Sequence, residues 1–246
     1  MAPTRPDPIA ALTGIKTGTR TGAPQPSGIS LPGGGEKFWT DGTVQNWPGN
    51  TFICHVPQAS AAHAAIRELQ EQVKMSPFAR FYTYLPPSSF HMTIFQGVSP
   101  STRDDDLWPK GVSGRPSRDA LTAHMLAQTE ALRFAPPRAR MVDLYCANSL
   151  TMAGADEAEE ARLREIRRQI LDATGLTLPG FDDYVFHVTL SYLVTHVSPA
   201  TAREIVDFSA QLSDRYRDAV GTVNLGPVEF CNFETMHHFE PLKALV

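Results

Sequence analysis

Long apolar runs, cysteine and surplus positive charge are all scarce in this 246-residue chain, and each scarcity closes off a class of function. No stretch of about 18 apolar residues occurs, so no membrane span is expected. The first 30 residues lack the compact apolar block of a secretory signal, and Arg5, Lys16 and Arg20 are too sparse for a transit peptide. The three cysteines, Cys54, Cys146 and Cys231, are odd in number and far apart, each in an apolar run. They read as buried thiols of a reducing, cytoplasmic compartment and not as a disulfide framework or a zinc site. A formal charge of −4 and a pI near 6.1 argue against coating long nucleic acid by charge. No P-loop, dinucleotide fingerprint or HExxH is present, and Gly33-Gly34-Gly35 precedes no strand–helix unit.

What is there is unevenly spread. The first 36 residues hold six of the 20 prolines, seven of the 17 glycines and no aromatic residue. Such a segment buries too little apolar surface to offset its ordering entropy, so residues 1–36 read as a flexible or wrapped extension. From Lys37 the composition changes, and Asp41-Gly42 between short aromatic and β-branched runs predicts a hairpin with a type I′ turn. Periodicity then predicts helices over 60–75, 117–134 and 156–173, and a fourth from Ser198-Pro199 to about Arg217. Strand-like runs fall at 51–56, 81–85, 90–98, 140–146, 150–153, 184–194 and 222–231. The order strand, helix, strand, helix, strand is therefore given twice. It predicts an α/β (α+β) protein of two duplicated lobes, with two mainly antiparallel sheets facing a central groove. One domain is expected over 37–246, with lobe 1 at about 50–147, lobe 2 at about 148–231 and a C-terminal segment at 232–246.

One short sequence recurs inside the duplication. Phe90-His91-Met92-Thr93-Ile94 matches Phe186-His187-Val188-Thr189-Leu190 in the pattern aromatic, His, apolar, Thr, aliphatic. Strand side chains alternate, so His91 and Thr93 share one face, as do His187 and Thr189, while the apolar members face the other way. A lone histidine on a strand is usually structural; a matched pair at equivalent places in two halves calls for a shared role. Two imidazoles and two hydroxyls across a groove suit phosphodiester chemistry without a metal. Near neutral pH one ring can be neutral and take a proton, and the other protonated and give one to the leaving oxygen. The hydroxyls can donate to the non-bridging phosphate oxygens.

The doubled His-x-Thr resembles the 2H phosphoesterase superfamily, which includes bacterial 2′–5′ RNA ligase-like proteins and cyclic nucleotide phosphodiesterases of RNA metabolism. The resemblance runs from about Asn50 to Cys231. The Trp-Pro-Gly-Asn-Thr segment at 47–51 and the aromatic C-terminus look like a branch known mostly as a domain of unknown function in bacteria and fungi. The resemblance implies a bilobal duplicated fold, hydrolysis of 2′,3′-cyclic phosphates, His91 and His187 as base and acid, and Thr93 and Thr189 as phosphate ligands. One departure stands out. Many relatives carry a basic residue shortly after the second motif, whereas this chain reads Ser191-Tyr192.

Tyr84, Tyr184, Tyr192 and Phe233 are candidate substrate contacts that could stack on a base or equally lie in the core, and strand alternation puts Tyr192 on the face opposite His187 unless a bulge intervenes. Residues 86–89 are placed to rim the groove. Asp104-Asp105-Asp106 reads as a solvated loop, and the adjacent side chains of His237 and His238 point to opposite faces of an extended segment. His55 and His63 lack a ligand partner at metal spacing. No metal and no cofactor are therefore expected. The expected partner is a small nucleotide or an RNA terminus carrying a phosphodiester, bound by a monomer, with no long nucleic acid and no membrane. Turnover of such a substrate is the leading expectation. The rivals are a binding module without turnover, a 2′–5′ RNA ligase-like activity, and an interaction arm formed by residues 1–36.

Overall fold

A computed structural model of the chain describes residues 4–16, 19–20, 25–100, 109, 111–112, 114 and 116–246. The acidic run Asp104-Asp105-Asp106 lies outside these residues. In chain order the elements are α1 (Pro8–Thr13), β1 (Ile15–Lys16), β2 (Thr19–Arg20), β3 (Gly49–His55), α2 (Ala61–Lys74), β4 (Tyr82–Tyr84), β5 (His91–Gln96) and α3 (Arg118–Gln128). They continue with β6 (Arg138–Tyr145), β7 (Ser149–Gly154), α4 (Glu157–Thr174), β8 (His187–Thr189), β9 (Ser191–Leu193), α5 (Pro199–Val220), β10 (Thr222–Asn224), β11 (Glu229–Thr235) and β12 (His238–Ala244).

The four longer helices start where their capping residues put them. The side chains of Ser60, Ser117, Asp156 and Ser198 each accept the backbone N–H three residues on, satisfying a donor the helix cannot. Acidic Glu157, Glu159 and Glu160 fill the first turn of α4, and Gly175 ends it in the left-handed conformation at φ 62°. Helix α3 stops well short of residue 134. The Thr129 hydroxyl turns back onto the Met125 carbonyl at 2.8 Å, and the chain then extends so that Phe134 N–H reaches Leu245 O at 2.8 Å. Helix α5 runs three residues past Arg217, to Val220.

The large sheet has eight antiparallel strands in the order β10-β6-β7-β8-β5-β3-β11-β12, with a two-stranded sheet β4-β9 beside it. The fold is therefore α+β, but its two halves are joined edge to edge instead of forming separate sheets. The seam is the pairing of Met92 with Val188, between β5 and β8. Strand membership also crosses the expected lobe boundary. β6 lies in the half that carries His187, while β11 and β12 come back from the C-terminus to pair beside β3 in the half that carries His91. The single strand expected at 222–231 is therefore two, with β10 and β11 in opposite halves of the sheet.

Across the seam runs a buried apolar row, Leu150, Val188, Met92 and Cys54, in register. These residues face the main core, which takes Ile66, Leu69 and Val73 from α2, Leu163, Ile166 and Ile170 from α4, and Ile205, Leu212 and Tyr216 from α5. Helix α4 comes very close at Gly154, where a Cβ would meet Glu160 N at 2.2 Å, so only glycine fits. A smaller apolar cluster of Phe38, Trp47, Ile53, Phe233, Met236 and Phe239 covers part of the opposite face. At Asp41-Gly42 only Gly42 has a positive φ, 85°, so the turn there is not the expected type I′. Asp41 instead accepts Thr43 N–H at 2.8 Å.

Candidate active site

Strand register builds the site. With Met92 opposite Val188, continuing the antiparallel pairing puts His91 opposite Thr189 and Thr93 opposite His187. The rows extend outward, to His55 beyond His91 and to Ser149 and Thr151 beyond Thr189 and His187. The histidines are thus diagonal neighbours on one face, a placement that in sheets sets residues about 7–8 Å apart, with their Cβ atoms somewhat closer. A threonine stands at each remaining corner. All four side chains line a cavity of about 210 Å³, together with Lys37, Trp47, Gln96, Tyr184, Tyr192, Phe233 and Phe239, among others.

The two rings are held alike. His91 Nδ1 lies 2.7 Å from Ser89 O and His187 Nδ1 lies 2.9 Å from Val185 O, the carbonyl two residues back in each case. A carbonyl only accepts, so Nδ1 carries the hydrogen in both rings and Nε2 is left with its lone pair. Part of each ring opens onto the cavity, yet the surrounding protein is dense enough for burial to dominate titration. Burial pushes His91 down to about 4, helped by His55, His187 and Lys37. It pushes His187 down to about 4 as well, helped by Arg5 and Lys37. Near neutral pH both rings are therefore neutral, where the sequence led us to expect one of each.

Positive charge comes from outside the motifs. Lys37 Nζ sits 4.8 Å from the Trp47 ring and 5.3 Å from the Tyr192 ring, and donates to Tyr192 Oη at 3.5 Å. Arg5 lies over β7, where its Nε donates to Thr151 Oγ1 and its Nη2 to Ser149 Oγ, both at 3.2 Å. Of these two cations Lys37 lines the cavity, while Arg5 acts on His187 through its field from over β7. Nothing in the spacing of Lys37 or Arg5 marks them in the sequence. Gln96 did carry a signal: it stands five residues after His91, as Tyr192 stands five after His187.

The four candidate contacts part company. Tyr184, Tyr192 and Phe233 line the cavity, and Phe233 stacks with Trp47 at 6.0 Å and 19°. Tyr84 does not. Its neighbour Leu85 faces the cavity, while the Tyr84 ring lies under Lys74 Nζ at 5.4 Å and its hydroxyl donates to Ala79 O. Tyr192 reaches the site because the strand expected at 184–194 breaks at Leu190. Leu190 N–H and Ser191 N–H both donate to Asn148 O, and the chain leaves for the small sheet, where Tyr192 pairs with Thr83. Residues 86–89 serve through Ser89, whose carbonyl anchors His91. Among the described residues no three His, Cys, Asp or Glu side chains gather as a metal site, and no helix is long and apolar enough to cross a membrane. Cys54, Cys146 and Cys231 are all free and buried.

Residues 37–148 match the family described as "2H-phosphodiest: Domain of unknown function (DUF1868)". No curated protein matches the chain. A conserved protein of unknown function from Agrobacterium tumefaciens, known from its crystal structure, superposes with a TM-score of 0.80 at 28% identity, over 88% of this chain and 92% of that one. TT0787 of Thermus thermophilus superposes far more loosely, with a TM-score of 0.40 at 18% identity over 80% of this chain and 97% of that one. Residues 37–148, which carry the first of the two motifs, are thus similar to the family described as "2H-phosphodiest: Domain of unknown function (DUF1868)".

Proposed function

We propose that this protein is a phosphodiesterase that hydrolyses a 2′,3′-cyclic phosphate on a nucleotide or RNA end, using His91 and His187 as general base and general acid. The observation that carries this reading is the diagonal pair of Nδ1-tethered imidazoles whose Nε2 atoms are free, with Thr93 and Thr189 at the other corners. A phosphate at the centre would accept hydrogen bonds from both hydroxyls and lie between the two Nε2 atoms. One neutral ring takes a proton from the attacking water as its oxygen bonds to phosphorus. The ring on the far side gives its proton to the ribose oxygen as the phosphorus–oxygen bond breaks, leaving a phosphomonoester and a free hydroxyl. Because burial keeps both rings neutral, the acid takes up its proton when the anionic substrate arrives, as the phosphate charge favours the imidazolium. Lys37 balances part of the remaining charge. A cavity of about 210 Å³ with an aromatic wall of Trp47, Phe233 and Phe239 supports a small substrate or a chain terminus over a long polymer.

The test is turnover of a panel of 2′,3′-cyclic mononucleotides with a chelator present, by wild type, His91→Ala and His187→Ala. We expect chelator-resistant hydrolysis and a loss on the order of 10²- to 10⁴-fold in each variant. Activity abolished by the chelator, or kept in full by either variant, overturns the mechanism. Tight binding of the panel without product would instead favour a binding module. The kcat/KM profile should be bell-shaped, with its optimum on the acidic side of the ordinary imidazole value of about 6.5, because the free site holds both rings near 4. Its limbs belong to the coupled pair and not to either ring.

A further inference from the structure

Strand alternation alone would put the wrong residue into the cavity. His91 and Thr93 face it, so an unbroken β5 would show Phe95 next and turn Gln96 away. The observed register differs. Thr93 pairs with Ile53 and Phe95 pairs with Phe52, the adjoining residue on β3, so Ile94 is an extra residue and β5 carries a bulge. Ile94 and Phe95 are both fully buried in the main core. Gln96 is thereby returned to the site face, where it pairs with Thr51 and lines the cavity beside it.

The bulge is pinned. Ile94 O accepts Arg167 Nη1 from α4, and Phe95 O accepts the Thr51 hydroxyl at 3.3 Å. Just beyond, Val98 N–H donates to Asn50 Oδ1 at 2.8 Å, and Gly97 lies so close to Asn50 that a Cβ there would meet its carbonyl oxygen at 2.3 Å. The backbone under Gln96 is thus fixed while its side chain is exposed, and among the described residues no hydrogen bond engages its amide. The second motif reaches the same result by its break: Leu190 and Ser191 are buried, and Tyr192 lines the cavity. Bulges beside active sites commonly re-aim a side chain. Here the two halves aim unlike groups, an amide and a phenol, from matching positions.

We infer that Gln96 is the specificity-determining residue for the nucleobase: its amide hydrogen-bonds the edge of a base that lies against Trp47 and Phe233. This rests on the two-histidine reading above, which sets the phosphate between His91 and His187. Gln96 stands three residues beyond Thr93, at most ~10 Å along the strand at ~3.3 Å per residue. That is the reach from a cyclic phosphate across the ribose to its base. The aromatic wall is at the same end, since Phe233 packs so tightly over Gly49 that a Cβ there would meet its ring at 2.6 Å and Val98 O at 2.7 Å. An amide offers a donor and an acceptor side by side. Adenine answers that pair on two edges, with its amino group beside N7 or beside N1, whereas guanine shows two acceptors at N7 and O6. Adenine is therefore the base expected.

The test measures kcat/KM of wild type, Gln96→Ala and Gln96→Glu on the four 2′,3′-cyclic mononucleotides and on the base-free 1,2-cyclic phosphate of glycerol, with His91→Ala and His187→Ala in parallel. Wild type should favour the adenine substrate. Gln96→Ala should lose on the order of 10-fold on it, mainly through KM, and much less on the glycerol compound. Gln96→Glu should move the guanine-to-adenine ratio towards guanine by on the order of 10-fold, because a carboxylate accepts from N1–H and the amino group together. Equal turnover of all four bases by wild type, equal losses with and without a base, or an unmoved ratio in Gln96→Glu overturns the inference; with both histidine variants dead, the two-histidine reading still stands. A preference for another base that Gln96→Ala erases keeps the residue's role and overturns the choice of adenine. Active histidine variants overturn the two-histidine reading instead, and calorimetric binding of the four nucleoside 2′-monophosphates then decides: a spread of affinities narrowed by Gln96→Ala supports the role, and an unchanged spread overturns it.

Discussion

Two imidazoles held near 4 make this site a source of acid sensitivity as well as of chemistry. In the unfolded chain each ring titrates near 6.5, so between about 4 and 6.5 the unfolded state binds more protons than the folded one. Stability is therefore highest above pH 6.5, falls as the pH drops through this window, and is fully lowered below 4. A depression from 6.5 to about 4 amounts to roughly 3 kcal/mol per ring as an upper figure. We expect the urea midpoint to drop steeply from pH 7 to 4.5, and His91→Gln or His187→Gln to flatten that slope. On the proposed function, inorganic phosphate should restore part of the loss at acidic pH by binding the protonated pair. A slope that is the same in wild type and both variants would show that the rings are not buried as described.

The elements bearing the motifs depend on one buried amide. Gln70, fully buried on α2, donates through Nε2 to Leu85 O at 2.8 Å and to Leu190 O at 2.9 Å. It thereby fixes the break that turns Tyr192 into the cavity and the turn that brings Leu85 to its wall. Replacing it with Met keeps the bulk and leaves two carbonyls without that donor, which should cost about 1–3 kcal/mol in denaturant melts and raise KM through the displaced Tyr192. An unaltered KM in a destabilised Gln70→Met would detach the break from the site. The helices and the doubled motif were legible because their signals are local: a capping serine or aspartate, an apolar stripe, an alternation of two. The break at Leu190 was not, because its cause is Asn148 O and Gln70, more than 40 residues away in sequence. A run such as 184–194 looks continuous when neither partner is in view. Tyr84 was misplaced for a related reason, since alternation says that adjacent residues face opposite ways and leaves open which of Tyr84 and Leu85 faces the site. The type I′ turn failed because Asp-Gly also suits a turn with one left-handed residue.

At the scale of the whole molecule, the duplication is interleaved. The half that holds His91 needs β11 from the C-terminus, where Phe230 lies fully buried against Phe52 with ring centroids 4.6 Å apart. The half that holds His187 needs β6, which comes before it. A fragment of residues 37–148 therefore lacks β11 and β12 and carries strands of both halves. Expressed alone it should show no cooperative unfolding transition by circular dichroism, whereas the full chain should show one. A cooperative melt of that fragment would mean that the halves are separable after all. Interleaving was out of reach of the repeat pattern, because a pattern in sequence counts strands without saying which strand lies beside which.

The diagonal placement of the histidines has a further consequence. Half a turn about the axis through the Met92–Val188 seam exchanges His91 with His187 and Thr93 with Thr189, so the four motif side chains by themselves cannot tell one end of a cyclic phosphate from the other. Handedness must come from the walls. Phe239 stands 4.1 Å from the His91 ring, with Phe233 and Trp47 behind it, while Tyr184 stands beside His187. The wall that receives the nucleoside thus fixes which ribose oxygen points at which imidazole, and with it whether the product carries its phosphate at the 2′ or the 3′ position. On the proposed function, regiochemistry follows from the aromatic lining, and recutting that lining should invert the product without touching either histidine.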